Sequence, residues 1–214
     1  MKNTRRNISF FFELIRYKNL LLAVVTLILT RYFIVQPVLM VKGIDLVLPF
    51  WQFGLLIIST VFISAAGYVI NDYFDRKTDL INKPDKVIVG KHISRRAAML
   101  MHHFLNGIGV LAGVFLSYKI GYLTFGIIPL LVAGLLWFYS TTYKNQLILG
   151  NLIIAFLTAM VPFSVIIYDL PLINSFYGDE MQILQINPLE IVAWVGVYSL
   201  FAFLTNLIRE IIKD

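Results

Sequence analysis

The chain has 214 residues, 59% hydrophobic and 14% charged, with a formal net charge of +6 and a mean hydropathy of +0.80. Ordinary globular domains carry about 25% charged residues, so this composition is that of an integral membrane protein. With no cysteine, these residues make no disulfide, no thiolate metal site and no cysteine nucleophile.

The N-terminal stretch MKNTRRNISFFFELIRYKNLLLAVV is basic and then apolar, like a signal peptide, but no small-residue cleavage site follows before Arg31. It is expected to be a retained first span. A helix needs about 20 apolar residues to cross the hydrocarbon core, and the stretches that meet this in chain order are 20–41, 51–70, 97–118, 120–138, 147–168 and 191–208. No alternation of polar and apolar residues recurs in short segments, which disfavours a transmembrane barrel. The expected fold is all-α, a polytopic transmembrane helical bundle.

Of the 18 lysines and arginines, all but Arg31, Lys42 and Lys119 fall on the side of the N-terminus if the spans alternate. The positive-inside rule then places the N-terminus and the loop after the second span in the cytoplasm. The basic excess is a topology signal, and no nucleic-acid partner is expected. Residues 71–96 form a basic inner loop region, and residues 169–190, DLPLINSFYGDEMQILQINPLE, are expected to be a long acidic outer loop. Small residues such as Ala65, Ala66, Gly67, Gly109 and Gly113 suit close helix packing in lipid.

The second apolar run ends in NDYFDRKTDLINKPDK, with Asn71, Asp72, Asp75 and Asp79 close together at the edge of the bilayer. If the helix continues through Asp79, a turn of about 100° per residue sets Asp75, Asp79 and Asp72 at about 40°, 80° and 100° from Asn71, all on one face. Several anions there repel one another and meet the negative end of the helix dipole, so a cation must balance them. Carboxylate and amide oxygens are hard ligands that suit Mg²⁺, with Mn²⁺ as an alternative, and magnesium is typically completed by waters and substrate phosphates. Lys83, Lys86, Lys91, Arg95 and Arg96 follow and can lay positive charge over a phosphate chain. The bland alternative is a solvated cap whose acids pair with neighbouring lysines.

A second stripe, Asn206, Glu210 and Asp214 at i, i+4 and i+8, closes the sequence at the same side of the membrane. A bundle can bring carboxylates from facing helices around metal ions. Position alone reads Arg16 as a membrane-edge anchor and leaves an anchoring role equally open for Lys144, while adjacent His102 and His103 point about 100° apart and are expected to pack rather than chelate. No nucleophile elbow, P-loop, HExxH or dinucleotide fingerprint occurs.

Asn71, Asp72, Asp75 and Asp79 complete an NDxxDxxxD motif, and Asn82, Lys83 and Pro84 follow it. With Arg16 and Asn19 near the first span and Tyr139 and Lys144 after the fourth, the chain resembles the UbiA superfamily of membrane prenyltransferases. The family's arginine–proline motif lacks its proline here, where Tyr17 stands instead. The resemblance implies magnesium held by Asn71, Asp72, Asp75, Asp79 and Asp214, and a polyprenyl diphosphate donor bound by Arg16, Asn19, Asn71, Lys83, Lys144 and Arg209. It further implies a lipid or aromatic acceptor, and catalytic roles for Asp72, Asp75, Asp79, Tyr139 and Lys144, with the Tyr139 ring facing an allylic cation. The phrases IRYKNLLL, NDYFDRKTDLINKPDK and NLIREIIKD look most like the branch that alkylates geranylgeranylglyceryl phosphate to make an ether lipid, with an aromatic quinone precursor as the alternative acceptor. About nine helices are implied and six are expected within residues 1–214, so the chain is expected to be a single domain cut within the second aspartate motif. A catalytically incomplete membrane protein or a cation transporter is the rival, although transporter sites tend to lie near the bilayer midplane.

Overall fold

Hydrocarbon offers a backbone no hydrogen-bond partners, so a spanning segment of this composition satisfies its own polar groups by coiling into helix. The computed structural model describes residues 2–183 and 187–213, with the side chains of residues 2–7, 145, 147 and 213 outside the description. Among the described residues there is no β-strand, only an isolated bridge between Val89 and Ile93.

Helix α1, Lys2–Leu14, is followed by a break at Arg16 and then by α2, Tyr17–Leu29, which passes through a π-helical turn, Thr30–Val35, into α3, Gln36–Met40. Then come α4, Phe50–Asn82; α5, Arg95–Lys119; α6, Ile127–Thr141; α7, Leu147–Ile183; and α8, Pro188–Lys213. Among the described residues, six helical stretches are long and apolar enough to cross a membrane. The expected all-α polytopic bundle is the fold observed.

Helix α4 is central and packs against α2, α5 and α6, while α7 lies mainly against α8. Its 33 residues extend about 50 Å at 1.5 Å per residue, well beyond a hydrocarbon core about 30 Å thick. The residues after Ile70 therefore continue the helix past the apolar run and carry Asn71 to Asp79 with them. The backbone N–H of Lys83 closes the last turn on the Asp79 carbonyl at 2.8 Å, and Pro84 follows where the helix ends. Two apolar clusters hold the bundle together. One gathers Leu14, Leu20, Ala65, Ala66, Val69, Ala98 and Leu105 near the Asn71 end, and the other gathers Leu27, Val35, Phe53, Leu116, Val165 and Ile191 at the far end. The α4–α5 contact is close because Gly109 has no side chain: a Cβ there would stand 2.8 Å from the Ile63 backbone nitrogen.

The long outer loop expected over 169–190 is mostly helix. Helix α7 runs unbroken to Ile183, with Pro162 and Pro171 inside it. Asp169 and Pro171 look like loop residues in sequence, but Ile173 and Met181 are buried in the far cluster and Leu170, Leu172 and Tyr177 pack against it. That burial outweighs the backbone hydrogen bond a proline removes. Asp169 is itself buried because Arg31, from the π-helical turn, reaches it: Arg31 Nε lies 3.5 Å from Asp169 Oδ2. The guanidinium also donates to the Leu48 carbonyl and stands 4.5 Å over the Phe53 ring. Arg31 is thus a buried tie rather than a loop charge.

Removing one partner of a buried ion pair leaves an uncompensated charge, so Arg31→Met is expected to lower stability by about 3–5 kcal/mol, while Arg31→Met with Asp169→Leu recovers most of it. Unfolding in detergent micelles, followed by circular dichroism, measures both. Gly109→Val is expected to cost about 1–3 kcal/mol in the same assay by forcing α4 and α5 apart.

Candidate active site

The functional side chains come from three places that are remote in sequence and meet at the end of α4. The register expected for that helix is observed: the Asn71 side-chain amide donates to Asp75 Oδ2 at 2.8 Å, as residues four apart on one face can. Asp72 stands beside them, half-buried, and Asp79 lies one turn further on, also half-buried.

The first contribution comes from the α1–α2 break. Arg16 has φ 52° and ψ 55°, and among the described residues it is the only non-glycine with positive φ. This left-handed conformation costs roughly 1 kcal/mol or more for a residue with a Cβ. Two backbone hydrogen bonds onto its carbonyl, from Asn19 and Leu20, start α2. The turn sends the side chain to Asp72, with Nη2 2.9 Å from Oδ1 and the guanidinium 4.9 Å over the Tyr68 ring. Asn19 donates to the Tyr68 hydroxyl at 3.4 Å. Arg16 is 44% exposed and Asp72 22%, so solvent screens the pair and its net worth is at most about 1 kcal/mol.

The second contribution comes from the turn between α6 and α7. Lys144 sits in a 3-10 turn, Tyr143–Asn145, and its ammonium forms an ion pair with Asp75 Oδ1. Gly150, in the first turn of α7, lets that turn sit down: a Cβ there would lie 2.8 Å from the Tyr143 carbonyl oxygen and 3.4 Å from Lys144 Cα. The backbone that presents Lys144 is therefore pressed against α7. Tyr139 is half-buried in the last turn of α6.

The structure thus brings together Arg16, Asn71, Asp72, Asp75 and Lys144, with Asn19 attached through Tyr68. Lys83 is exposed at the end of α4. Arg209 is exposed near the end of α8, where its Nε is 3.9 Å from Glu210. Glu210 is buried, and the side-chain oxygen of Asn206 is buried without a hydrogen-bond partner. Asp214 lies outside the described residues. His102 packs as expected, with Nδ1 3.0 Å from the Ala66 carbonyl and its ring 5.4 Å from Trp137. Sequence reasoning passed over Tyr68, although the same helical arithmetic places it at about 60° from Asn71, between Asp75 and Asp79.

Among the described residues, no three acidic or histidine side chains gather closely enough to share one metal ion. Asp72 and Asp75, with the Asn71 amide beside them, present hard oxygen donors at this helix end. Magnesium is commonly bound by one or two carboxylates with phosphate and water oxygens completing the shell, and this hard-oxygen set fits it. Both carboxylates already attract cations, Arg16 and Lys144, which is the charge compensation their place at a helix C-terminus demands.

The profile of the UbiA prenyltransferase family matches residues 28–214. The chain is 34% identical over 159 residues to a digeranylgeranylglyceryl phosphate synthase of Metallosphaera sedula, covering 74% of this chain and 48% of that protein. It is 33% identical over 156 residues to the same-named protein of Methanosarcina mazei, covering 71% and 52%, and 33% identical over 201 residues to that of Hyperthermus butylicus, covering 94% and 60%. A solved chain described under the words "Structural and mechanistic insights into the biosynthesis of Digeranylgeranylglyceryl phosphate synthase in membranes" superposes with a TM-score of 0.69 at 25% identity, over 98% of this chain and 63% of that one. The chain spans about half the length of the first two of these relatives. A matching profile across most of the chain, on a six-span helical bundle with the carboxylate motif at one helix end, shows that the chain belongs to the UbiA prenyltransferase family.

Proposed function

We propose that this site serves the Mg²⁺-dependent transfer of a prenyl group from an allylic polyprenyl diphosphate to a lipid acceptor, geranylgeranylglyceryl phosphate, in the making of an ether lipid. The observation that carries the reading is the meeting of Asp72 and Asp75 with Arg16 and Lys144 at the end of a helix too long for the hydrocarbon core. A diphosphate on a long isoprenoid tail needs that combination: a charged, metal-binding head site at a membrane surface and an apolar bundle beneath it. The names of the relatives support the acceptor class.

In this reading Asn71, Asp72 and Asp75 would hold Mg²⁺, with Asp79 one turn further along the same face. When bound, it supplies positive charge and Lewis acidity toward the diphosphate oxygens. Lys144 and Arg16 bind and orient the diphosphate, supplemented by Lys83 from the exposed end of α4. Their fixed charge favours the state in which the C1–O bond breaks and the diphosphate leaves with the electron pair. The acceptor hydroxyl oxygen then bonds to C1 and gives up its proton to the departed diphosphate. Tyr139 offers a ring face to the allylic cation before capture, and the apolar helices keep water from competing for it. The head of the donor lies at the cytoplasmic face, following the distribution of lysine and arginine.

The test is transfer from labelled geranylgeranyl diphosphate in lipid nanodiscs, with geranylgeranylglyceryl phosphate and an aromatic quinone precursor as competing acceptors. Labelled ether lipid is expected, lost on chelation with EDTA and restored by Mg²⁺. Asp75→Ala is expected to lower the rate at least about 100-fold, as removal of a key charge-stabilising group does. Full activity in Asp75→Ala would sink the carboxylate assignment, and label appearing only on the aromatic acceptor would overturn the lipid acceptor.

A further inference from the structure

Asp75 has no uncommitted oxygen. Lys144 pairs with Oδ1 and the Asn71 amide donates to Oδ2. Asp72 is similarly committed through Oδ1 to Arg16. A divalent cation approaching these carboxylates meets an ammonium and a guanidinium already paired with them and must compete with their charge. We infer that Arg16 and Lys144 are exchangeable internal counter-ions: they neutralise Asp72 and Asp75 in the empty site and transfer to the diphosphate when metal takes the carboxylates. This inference rests on the reading of Asp72 and Asp75 as metal ligands.

The geometry separates what can move from what cannot. The backbone of the Tyr143–Asn145 turn is pressed against α7 at Gly150, so Lys144 keeps its place in the bundle. Its side chain is only partly enclosed, 29% exposed, and four rotatable carbons let the ammonium swing without any loop motion. Arg16 is fixed in the same way, by a left-handed backbone that starts α2, and its exposed guanidinium turns over the Tyr68 ring. Neither cation is buried deeply enough to be locked on its carboxylate, and each is close enough to follow an anion that arrives there.

Exchange makes metal and diphosphate binding cooperative, because each ligand removes the obstacle to the other. Metal alone must displace Lys144 from Asp75. Diphosphate alone competes with Asp75 for Lys144 and draws the ammonium away from that carboxylate. Together they re-pair every charge, and by linkage each raises the other's affinity by the same factor.

This coupling gives Lys144 opposite effects on the two ligands, which a merely structural residue would not show. The test uses the full chain in nanodiscs of zwitterionic lipid, with Mn²⁺ as the probe for the metal. Electron paramagnetic resonance reads the free Mn²⁺ without diphosphate, and retention of labelled inorganic pyrophosphate is read separately at saturating Mn²⁺. Lys144→Gln is expected to tighten Mn²⁺ alone by up to about fivefold, the range set by breaking a partly exposed ion pair. The same variant is expected to weaken pyrophosphate retention, whereas Lys144→Arg keeps the wild-type pattern. Unchanged or weaker Mn²⁺ binding in Lys144→Gln overturns the exchange. Asp75→Asn separates this from the underlying reading: if it binds Mn²⁺ as the wild type does, the metal is elsewhere and the carboxylate assignment itself falls.

Discussion

The last three turns of α4 place carboxylates where a helix is least able to tolerate them. At the C-terminal end the unpaired carbonyls present a partial negative charge, and Asp72, Asp75 and Asp79 share one face with it. Such a helix end is stable only if cations come to it, and much of the rest of the structure arranges their arrival. The break between α1 and α2 holds Arg16 in a left-handed conformation that its local sequence would not choose, and the turn before α7 sits on Gly150 so that Lys144 faces Asp75. Three segments that are 56 and 69 residues apart from one another's partners in the chain, counted from Arg16 to Asp72 and from Asp75 to Lys144, are thereby tied at one point.

Length enforces the location. An α4 of 20 residues would span about 30 Å, only the hydrocarbon core, and would end before Asn71. At 33 residues it carries the acids beyond the apolar run while its first two-thirds remain packed among α2, α5 and α6. Gly109 makes that packing close, so the helix bearing the acids is held along its length rather than at its tip.

The helix count, the continuation of α4 past Ile70 and the shared face of Asn71, Asp72 and Asp75 were legible in the sequence, because hydropathy and a 100° step are local properties. The same local arithmetic would have found Tyr68. The partners of Arg16 and Lys144 were not legible from position, since a basic residue at a membrane edge looks like an anchor whether or not a carboxylate reaches it. The resemblance named both residues, but it could not give the pairing of Arg16 with Asp72 or of Lys144 with Asp75. Residues 169–183 misled for a different reason. Asp169 and Pro171 are loop signals by composition, and only the burial of Ile173 and Met181 and the reach of Arg31 turn that stretch into helix. A tertiary ion pair cannot be read from either partner alone.

Arg31 with Asp169, and Arg16 with Asp72, are the same chemical pairing at opposite ends of the bundle, and exposure gives them different physics. The first is 2% and 0% exposed, with a backbone carbonyl and an aromatic face completing the arginine's surroundings. Any charged ligand entering there would have to replace those contacts and shed its own hydration without gaining solvent, so the pair acts as a fixed tie between the π-helical turn and α7. At the α4 end the cations are 44% and 29% exposed, and water screens part of their charge. A weak, screened ion pair is a poor fastener but a good reservoir of displaceable charge. The bundle therefore closes firmly at the far end and leaves its charges partly exposed at the end of α4.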